Sequence, residues 1–346
     1  MRVKLEDVCL KGSSNLKQSD VIDKNGEYEI YGASGLIGKV DFFHQEKPYI
    51  AVVKDGAGIG RTMLLPEKSS VIGTMQYILP NEKVTPKYLY YVIRYMHLEK
   101  YFTGATIPHI YFKDYRKEEF NLCDLLEQEK IVSTLSKIET LITHFRTQLE
   151  KLDLLVKARF VEMFGDVKLN SKGFDTIQLC KIANVSSSKR VFVEELQSYG
   201  IPFYRGTEVG ALAEEKNIIP ELFITEKHYN SLKSATGVPE IGDLLMPSIC
   251  SDGRIWLVDT KEKFYFKDGR VLWIHPISNG INSIYLLYFL KQKIAVDYNS
   301  IASGTTFAEL KIFSLKNLNL FMPPIKVQTQ FADFVKKVDK SKFIAF

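Results

Sequence analysis

The stretch from Glu127 to Phe164 reads EQEKIVSTLSKIETLITHFRTQLEKLDLLVKARFVEMF and contains neither glycine nor proline. Its apolar residues recur at steps that alternate between four and three, which is the heptad spacing of a coiled-coil seam. Asp124 and Glu127 have the spacing of a capping box, and Gly165 follows where a helix often ends. The sequence therefore predicts a long spacer helix over residues 127–165, with a seam of Ile131, Leu135, Ile138, Ile142, Phe145, Leu149, Leu152 and Val156.

This helix is much longer than an ordinary core helix. Its stretch without glycine or proline extends roughly 57 Å, whereas an average helix has about 11–12 residues. A coiled coil that connects two domains is the favoured interpretation, and one amphipathic core helix is the alternative. Burying each seam side chain contributes about 1.5–3 kcal/mol, so we expect a partner helix. The segment 326–346 offers one for roughly half of the length, through Phe331, Val335 and Val338.

Phrases on either side of the long helix repeat in the same order. The offset between copies rises from 174 residues at the first phrase to 200 at the last, as insertions in the second copy would produce. The period is far longer than that of a stacked repeat array, so it indicates two globular copies. The pairs are VKLEDV (3–8) with IQLCKI (177–182), YIAVVKDGAGIGRTMLL (49–65) with GDLLMPSICSDGRIWLV (242–258), YLYYVI (88–93) with YLLYFL (285–290), TGATIPHI (103–110) with SGTTFAEL (303–310), and LEQEKIV (126–132) with KVQTQFA (326–332).

We expect an α+β fold of two pseudo-repeated domains, 1–126 and 166–325, separated by long antiparallel coiled-coil helices at 127–165 and 326–346. In the first domain, IAVV, TMLL and QYIL are typical of strands, and Pro86–Phe102 is predicted to be a helix that starts at proline. In the second domain, IWLV and VLWI are the matching strands, and SIYLLYFLKQ is the matching helix.

Composition sets few limits on function. The chain has 346 residues and a net charge of +5, so any nucleic-acid surface must be a local patch. Its four cysteines have no Cys-x-x-Cys spacing, which predicts reduced thiols and no metal site. The first residues lack the apolar run of a signal peptide, and no apolar stretch approaches the length of a membrane span. A cytoplasmic protein that does not contact membrane is expected.

The local phrases DGAGIGR (55–61), TGATIPHI and LLEQEKIV (125–132), with SGTTFAEL and PPIKVQTQF (323–331) in the second copy, carry a resemblance to a known family. In their duplicated order they resemble the specificity subunit of type I restriction–modification systems, over essentially the whole chain. The resemblance implies two target-recognition domains that read the two halves of a split site in double-stranded DNA. It also implies a rigid helical spacer and no catalysis by this chain.

The resemblance further implies partners that carry the chemistry. Methyltransferase subunits dock on the helices and use S-adenosylmethionine to methylate adenine, and a restriction subunit uses ATP and Mg²⁺. This chain itself needs no cofactor. The second helix is shorter than the family pattern, which leaves two explanations open. Either the methyltransferase subunits cover the remaining seam, or the chain is a shortened or rearranged version.

A domain that recognises DNA needs cations to contact phosphates and polar groups to contact base edges. Candidate residues of these types lie in the loops near the repeated phrases. The alternative for each is a solvated surface group or a turn former. In the first copy the candidates are Lys54, Arg61, Gln76, Thr106, His109 and Lys113, and in the second they are Arg205, Thr207, Ser251, Arg254, Thr305 and Thr306.

Two other classes of protein fit the sequence less well. An independent enzyme is disfavoured because GAGIG (56–60) is followed by a strand-like run and no helix, and no Walker A motif occurs. The Pro323-Pro324 pair also lacks the flanking asparagine and aromatic residue expected of an adenine methyltransferase. A coiled-coil adaptor that binds only proteins explains the long helix but not two duplicated domains.

Overall fold

The computed structural model describes residues 1–21, 24–104, 108–303 and 308–344, with the side chains of 343 and 344 left out. The chain divides into unit 1, Met1–His144, and unit 2, Phe145–Phe346. Both units mix helices and strands, as predicted. The described strands of unit 1 are β1 (Arg2–Lys4), β2 (Cys9–Ser13), β3 (Tyr28–Gly32), β4 (Gly35–Val40), β5 (Tyr49–Val53), β6 (Thr62–Leu65), β7 (Ser70–Val71), β8 (Met75–Pro80) and β9 (Glu119–Asn121).

The helices of unit 1 are α1 (Pro86–Tyr95), α2 (Phe112–Tyr115) and the first part of α3 (Leu125–Phe164), which continues into unit 2. The further helices of unit 2 are α4 (Gly206–Ala213), α5 (Glu226–Thr236), α6 (Ser283–Ile301), α7 (Ile312–Lys316) and α8 (Ile325–Ile344). Its described strands are β10 (Thr176–Gln178), β11 (Ala183–Ser186), β12 (Ile201–Tyr204), β13 (Phe223–Ile224), β14 (Leu244–Pro247), β15 (Trp256–Leu257), β16 (Tyr265–Phe266), β17 (Val271–Pro276), β18 (Ala302–Ser303), β19 (Glu309–Leu310) and β20 (Asn319–Phe321).

The two units have the same sheet topology, which confirms the predicted repeat. In unit 1 an antiparallel sheet has the order β2-β8-β5-β6, and in unit 2 the order is β11-β17-β14-β15. A second sheet has the order β4-β3-β7 in unit 1 and β13-β12-β16 in unit 2. In each, the central strand is antiparallel to the first neighbour and parallel to the second. The pairs β1–β9 and β10–β20 complete the correspondence.

Insertions distinguish the second copy. Strand β3 turns directly into β4 through Gly32–Gly35, where Gly35 has φ of +117°. Between the matching strands β12 and β13, unit 2 has helix α4, and helix α5 follows before β14. The growing offset in the sequence is therefore explained in part by these two helices.

One predicted helix boundary was wrong. Helix α1 ends at Tyr95, although the sequence predicts a helix from Pro86 to Phe102. His97 takes a left-handed conformation with φ of 51°, and a separate 3-10 turn follows at Leu98–Tyr101. Because a left-handed residue cannot continue a right-handed helix, the predicted helix is divided into two elements. The matching helix α6 runs from Ser283 to Ile301 without such a break.

Helix α3 confirms the predicted long helix, since it has 40 residues without interruption. Asp124 Oδ1 accepts a hydrogen bond from the Glu127 backbone N–H at 2.9 Å, so Asp124 caps its first turn. The seam is not buried uniformly. Val156 is buried in the core of unit 2, whereas Ile138 and Ile142 are exposed by 47% and 44%.

Within unit 2, the end of α3 packs antiparallel against α8. The ring of Phe331 lies 5.5 Å from the rings of Phe160 and Phe164, between centroids. Toward the other end of the pair, Lys342 Nζ lies 2.7 Å from a carboxylate oxygen of Asp153. Residues later in α8 thus contact residues earlier in α3. The predicted antiparallel pairing is therefore confirmed for this stretch.

The four cysteines are free thiols. Cys9 and Cys250 are buried, and burial raises the pKa of each thiol to about 12. Cys123 in unit 1 and Cys180 in unit 2 are partly exposed. Among the described residues, no helix combines the length and apolar character needed to cross a membrane.

Candidate nucleic-acid interface

Four of the six candidate residues of the first copy line one cavity of about 550 Å³ in unit 1, here called cavity 1. They are Lys54, Gln76, His109 and Lys113. Lys54 follows β5, and its backbone carbonyl accepts a hydrogen bond from the Ile110 N–H at 2.9 Å. The N–H of Gly56 donates to the Pro108 carbonyl at 3.0 Å. The phrases DGAGIGR and TGATIPHI, far apart in sequence, are joined here by backbone hydrogen bonds.

Cavity 1 is cationic. His109 Nδ1 lies 2.6 Å from Asp55 Oδ1, and the other oxygen of Asp55 lies 3.8 Å from Lys54 Nζ. Lys11 and Lys113 also line the cavity and have no carboxylate partner among the described residues. The ammonium group of Lys113 lies 5.2 Å from the ring centroid of Tyr111, which is half exposed. Two ammonium groups are therefore available to an anionic ligand without breaking an ion pair.

Gln76 and Arg61 have surroundings that differ from those of Lys54, His109 and Lys113. Gln76 forms part of the cavity wall, but it is buried, and its amide nitrogen donates to the hydroxyl of Tyr115. Arg61 lies outside the lining and is exposed, and its guanidinium donates to the Ala33 carbonyl at 2.9 Å. Gly60, just before it, has φ of +79°, and a Cβ there would lie 2.7 Å from the Glu99 backbone nitrogen. This position requires glycine.

In unit 2, Arg205, Thr207 and Arg254 line a cavity of about 650 Å³, here called cavity 2. Arg205 precedes α4, and Arg254 follows Gly253. Like Gly60, Gly253 has a positive φ, of +69°, and a Cβ there would lie 2.7 Å from a backbone atom, in this case the Lys291 carbonyl oxygen. Ser251 is exposed and lies outside the lining. Thr106, Thr305 and Thr306 lie outside the described residues.

The arginines of cavity 2 are held by carboxylates. The guanidinium of Arg205 donates to both oxygens of Glu208 and, at 3.0 Å, to Glu221. Burial of Glu208 favours its neutral form, but the hydrogen bonds from Arg205 outweigh that effect and hold its pKa at about 2. Arg254 lies 2.9 Å from Asp252 and 3.7 Å from Glu214. These cations can contact a ligand only while keeping or exchanging an existing partner.

Sequence reasoning missed several residues of both cavities. Lys11 and Arg116 also line cavity 1, and Ser248, Lys267 and Arg270 line cavity 2. Lys11 lies on β2, about forty residues before β5, so only the strand pairing of the sheet brings it near Lys54. Lys267 and Arg270 lie between β16 and β17, in a stretch that matched no repeated phrase.

A pair of buried glutamines was also missed. Gln128 Nε2 donates to the carbonyls of Lys83 and Cys123, and its Oε1 accepts from the N–H of Thr85 at 2.8 Å. Gln328 makes the same three contacts, to Gly280, Pro323 and the N–H of Asn282 at 2.9 Å. Thr85 and Asn282 are the N-caps of α1 and α6, so each glutamine ties a long helix to the helix of its own unit.

Comparison with known proteins identifies the family. The family model described as the type I restriction modification DNA specificity domain matches residues 1–154 and again residues 171–344. The chain therefore belongs to this family, whose members are the specificity subunits of type I restriction enzymes and are not enzymes themselves. The match to both halves agrees with the repeated topology.

Individual relatives agree with the family assignment. A Haemophilus influenzae protein named as a type I restriction enzyme specificity subunit is 22% identical over 323 residues, covering 91% of this chain and 81% of that protein. The specificity subunit of the type I restriction enzyme MjaVIII from Methanocaldococcus jannaschii is 23% identical over 314 residues, covering 84% of this chain and 72% of the relative.

A solved structure shares the fold. The crystal structure of the type I restriction–modification S subunit from M. genitalium superposes with a TM-score of 0.64 at 17% identity, covering 100% of this chain and 90% of that one. A chain from a type I system, solved to explain complex assembly and conformational transition, gives a TM-score of 0.55 at 14% identity. That match covers 99% of this chain and 91% of that chain.

Proposed function

We propose that the chain reads a bipartite DNA target, with unit 1 and unit 2 each contacting one half-site. The observation that carries this proposal is the presence of a cation-lined cavity in each of two units with the same topology. Lysine and arginine supply contacts to phosphates, and the polar groups beside them supply contacts to base edges. Lys54, His109 and Lys113 in cavity 1 and Arg205, Thr207 and Arg254 in cavity 2 are the contacts we propose first.

The chain also acts, in this proposal, as the scaffold of a larger complex. Methyltransferase subunits that use S-adenosylmethionine bind the exposed stretch of α3 around Ile138, Leu141 and Ile142, each more than two-fifths exposed. A restriction subunit supplies the reactions that need ATP and Mg²⁺. A contiguous apolar surface of this kind favours a protein partner. The uninterrupted helix α3 sets the gap between the half-sites.

A domain exchange tests the reading function. Residues 1–126 are replaced by the matching domain of a relative with a different target, and methylated adenines are mapped in cells that carry the methyltransferase subunit. We expect one half of the methylated site to change while the other half and the gap stay the same. Replacing residues 166–325 is the matched control and should change only the other half.

Other outcomes contradict the proposal. A change in both halves of the methylated site, or in neither, would rule out that unit 1 and unit 2 each recognise one half-site. If the complex with the methyltransferase subunit prefers no DNA sequence, the chain is instead an adaptor that binds proteins through its helices.

A further inference from the structure

An open cavity of about 820 Å³ in unit 1 lies between α1, β9 and the first turns of α3, and is here called the α1 groove. Its described lining residues all lie between positions 2 and 135, so the groove belongs to unit 1 alone. Tyr95 at its edge is 85% exposed. Five of the lining residues, from α1 and α3, are Tyr88, Tyr91, Val92, Ile131 and Leu135.

The repeat supplies a matching groove in unit 2, between α6 and α8. The tyrosines at the start of α1 and α6 show the match directly. The hydroxyl of Tyr88 donates to the carbonyl of Asn121, the last residue of β9, at 2.9 Å. The hydroxyl of Tyr285 donates to the carbonyl of Phe321, the last residue of β20, at 3.0 Å. In the order given above, the five counterparts are Tyr285, Tyr288, Phe289, Phe331 and Val335.

The groove in unit 2 is filled by one turn of α3. Between ring centroids, Phe160 lies 5.5 Å from Phe331, 6.0 Å from Tyr285 and 6.4 Å from Phe289. Phe164 lies 4.7 Å from Tyr285 and 5.5 Å from Phe331. Both phenylalanines are fully buried. Two aromatic residues four apart on an antiparallel helix are therefore what this fold uses to cover such a groove.

The α1 groove has similar walls, but among the described residues it has no such aromatic pair. Phe331 and Val335 are exposed by 0% and 3%, whereas their counterparts Ile131 and Leu135 are only partly buried. An aromatic side chain buries about 150–250 Å² when it enters a pocket of this kind. A helix with the same pair of side chains would cover the apolar walls of the α1 groove as it covers those in unit 2.

We propose that the α1 groove binds a helix of a partner protein, which carries two aromatic side chains four residues apart and runs antiparallel to α3. Residues four apart share one face of a helix, so one turn can place both side chains in the groove. This inference rests on the scaffold part of the proposed function and deepens it by naming the chemistry of the helix and where it binds. It does not depend on DNA recognition.

A peptide of residues 149–166 is the probe, because its sequence covers the matching groove in unit 2. Binding of the fluorescein-labelled peptide to the full chain is measured by fluorescence polarisation. The control peptide carries Phe160→Ala and Phe164→Ala. Two variants of the full chain are compared, each with one added carboxylate. Leu135→Glu lies in the α1 groove, and Leu36→Glu replaces a residue that is 55% exposed outside the lining.

The peptide should bind saturably to the unmodified chain. The double alanine peptide should bind at least tenfold more weakly, as expected when aromatic anchors of an interface are removed. Leu135→Glu should weaken binding at least tenfold because it buries a charge against apolar side chains, and Leu36→Glu should change it less than about twofold. A benzophenone group in place of the Phe160 ring in the peptide should cross-link to residues 88–96 or 131–135, as mass spectrometry of the digest would show.

The proposal is overturned if the peptide does not bind, or if Leu135→Glu and Leu36→Glu bind it equally. Cross-links at 285–289 or 331–335 would also overturn it, because the peptide would then replace the chain's own segment in unit 2. If the chain alone sediments as a dimer and Leu135→Glu makes it a monomer, a second copy covers the groove instead. Should Leu135→Glu fail to fold, Val92→Glu on the other wall replaces it.

Failure of this proposal and failure of the proposed function are distinguishable. The peptide assay contains neither DNA nor a methyltransferase subunit, so its outcome leaves the domain exchange as the test of DNA recognition. A failed domain exchange combined with peptide binding that Leu135→Glu abolishes would refute the reading function and support the α1 groove as a helix-binding site.

Discussion

Equivalent seam positions in the two units differ in burial. Phe331, Val335 and Val338 on α8 are exposed by 6% or less, whereas Ile138, the counterpart of Val338, is exposed by 47%. The positions have the same heptad spacing, and the preceding glutamines make the same contacts in both units. The difference arises because the end of α3 lies against α8 within unit 2.

A heptad seam therefore predicts that a helix needs a partner, but it does not predict which chain supplies that partner. In unit 2 the chain supplies the partner itself. In unit 1, Ile138 and Ile142 are exposed by 47% and 44%, and the protein partner proposed above would cover them.

Phe331→Ala should destabilise the chain strongly. The ring is fully buried and contacts Phe160, Phe164 and Tyr288, so its removal should lower the free energy of unfolding by about 3–5 kcal/mol. Ile131→Ala, at the equivalent position, should cost only about 1 kcal/mol because Ile131 is partly buried. Denaturant unfolding followed by circular dichroism measures both. Equal losses would mean that the two seams are covered alike.

The glutamine pair should show the opposite pattern, an equal effect in both units. Gln328→Leu and Gln128→Leu each remove three hydrogen bonds and leave an N-cap N–H without its acceptor. Each should lower the free energy of unfolding by about 1–3 kcal/mol. Gln330→Leu, exposed on the same helix α8, is the control and should change stability by less than about 0.5 kcal/mol. A clear inequality between the two buried glutamines would break the correspondence.

Glu208 should give unit 2 a pH dependence in acid. Its pKa is about 2 in the folded chain, against 4.5 for an unperturbed glutamate, so folding favours the ionised form. The stabilisation is fully present above pH 4.5 and is lost as the pH falls toward 2. Glu208→Gln should remove it, at a cost of about 1 kcal/mol near neutrality because Arg205 is partly solvated. Denaturation midpoints measured between pH 2 and pH 6 check this, and parallel curves for both proteins would refute it.

The sequence predicts the long helix, the repeat and the larger strands because each is a local pattern. Heptad spacing and the absence of glycine and proline act over short distances, and they define α3 without knowledge of the rest. Helix α4 was not predicted, because it has only eight residues, including Gly206 and Gly210, and weak helix propensity. It forms where Val209 is buried against Leu245 and Trp256, and no local signal reveals that packing.

The residues that line the two cavities were predicted only in part, because only some of them lie in local sequence patterns. Loop phrases that repeat led to Lys54, His109 and Arg254, which line the cavities. Lys11 joins cavity 1 through strand pairing, and the side chain of Gln128, which resembles an exposed helix residue, is buried by loop ends more than forty residues away. Such contacts depend on tertiary structure and have no signature in a single sequence.

The different surroundings of the four cysteines allow each unit of the native chain to be labelled with a dye for energy-transfer measurements. At neutral pH the buried thiols of Cys9 and Cys250 hold almost no thiolate, so maleimide dyes should react with Cys123 and Cys180. One of these reactive sulfurs belongs to each unit. Energy transfer between two dyes can therefore test whether the separation of the units changes when the proposed DNA and protein partners are added, without a single engineered residue.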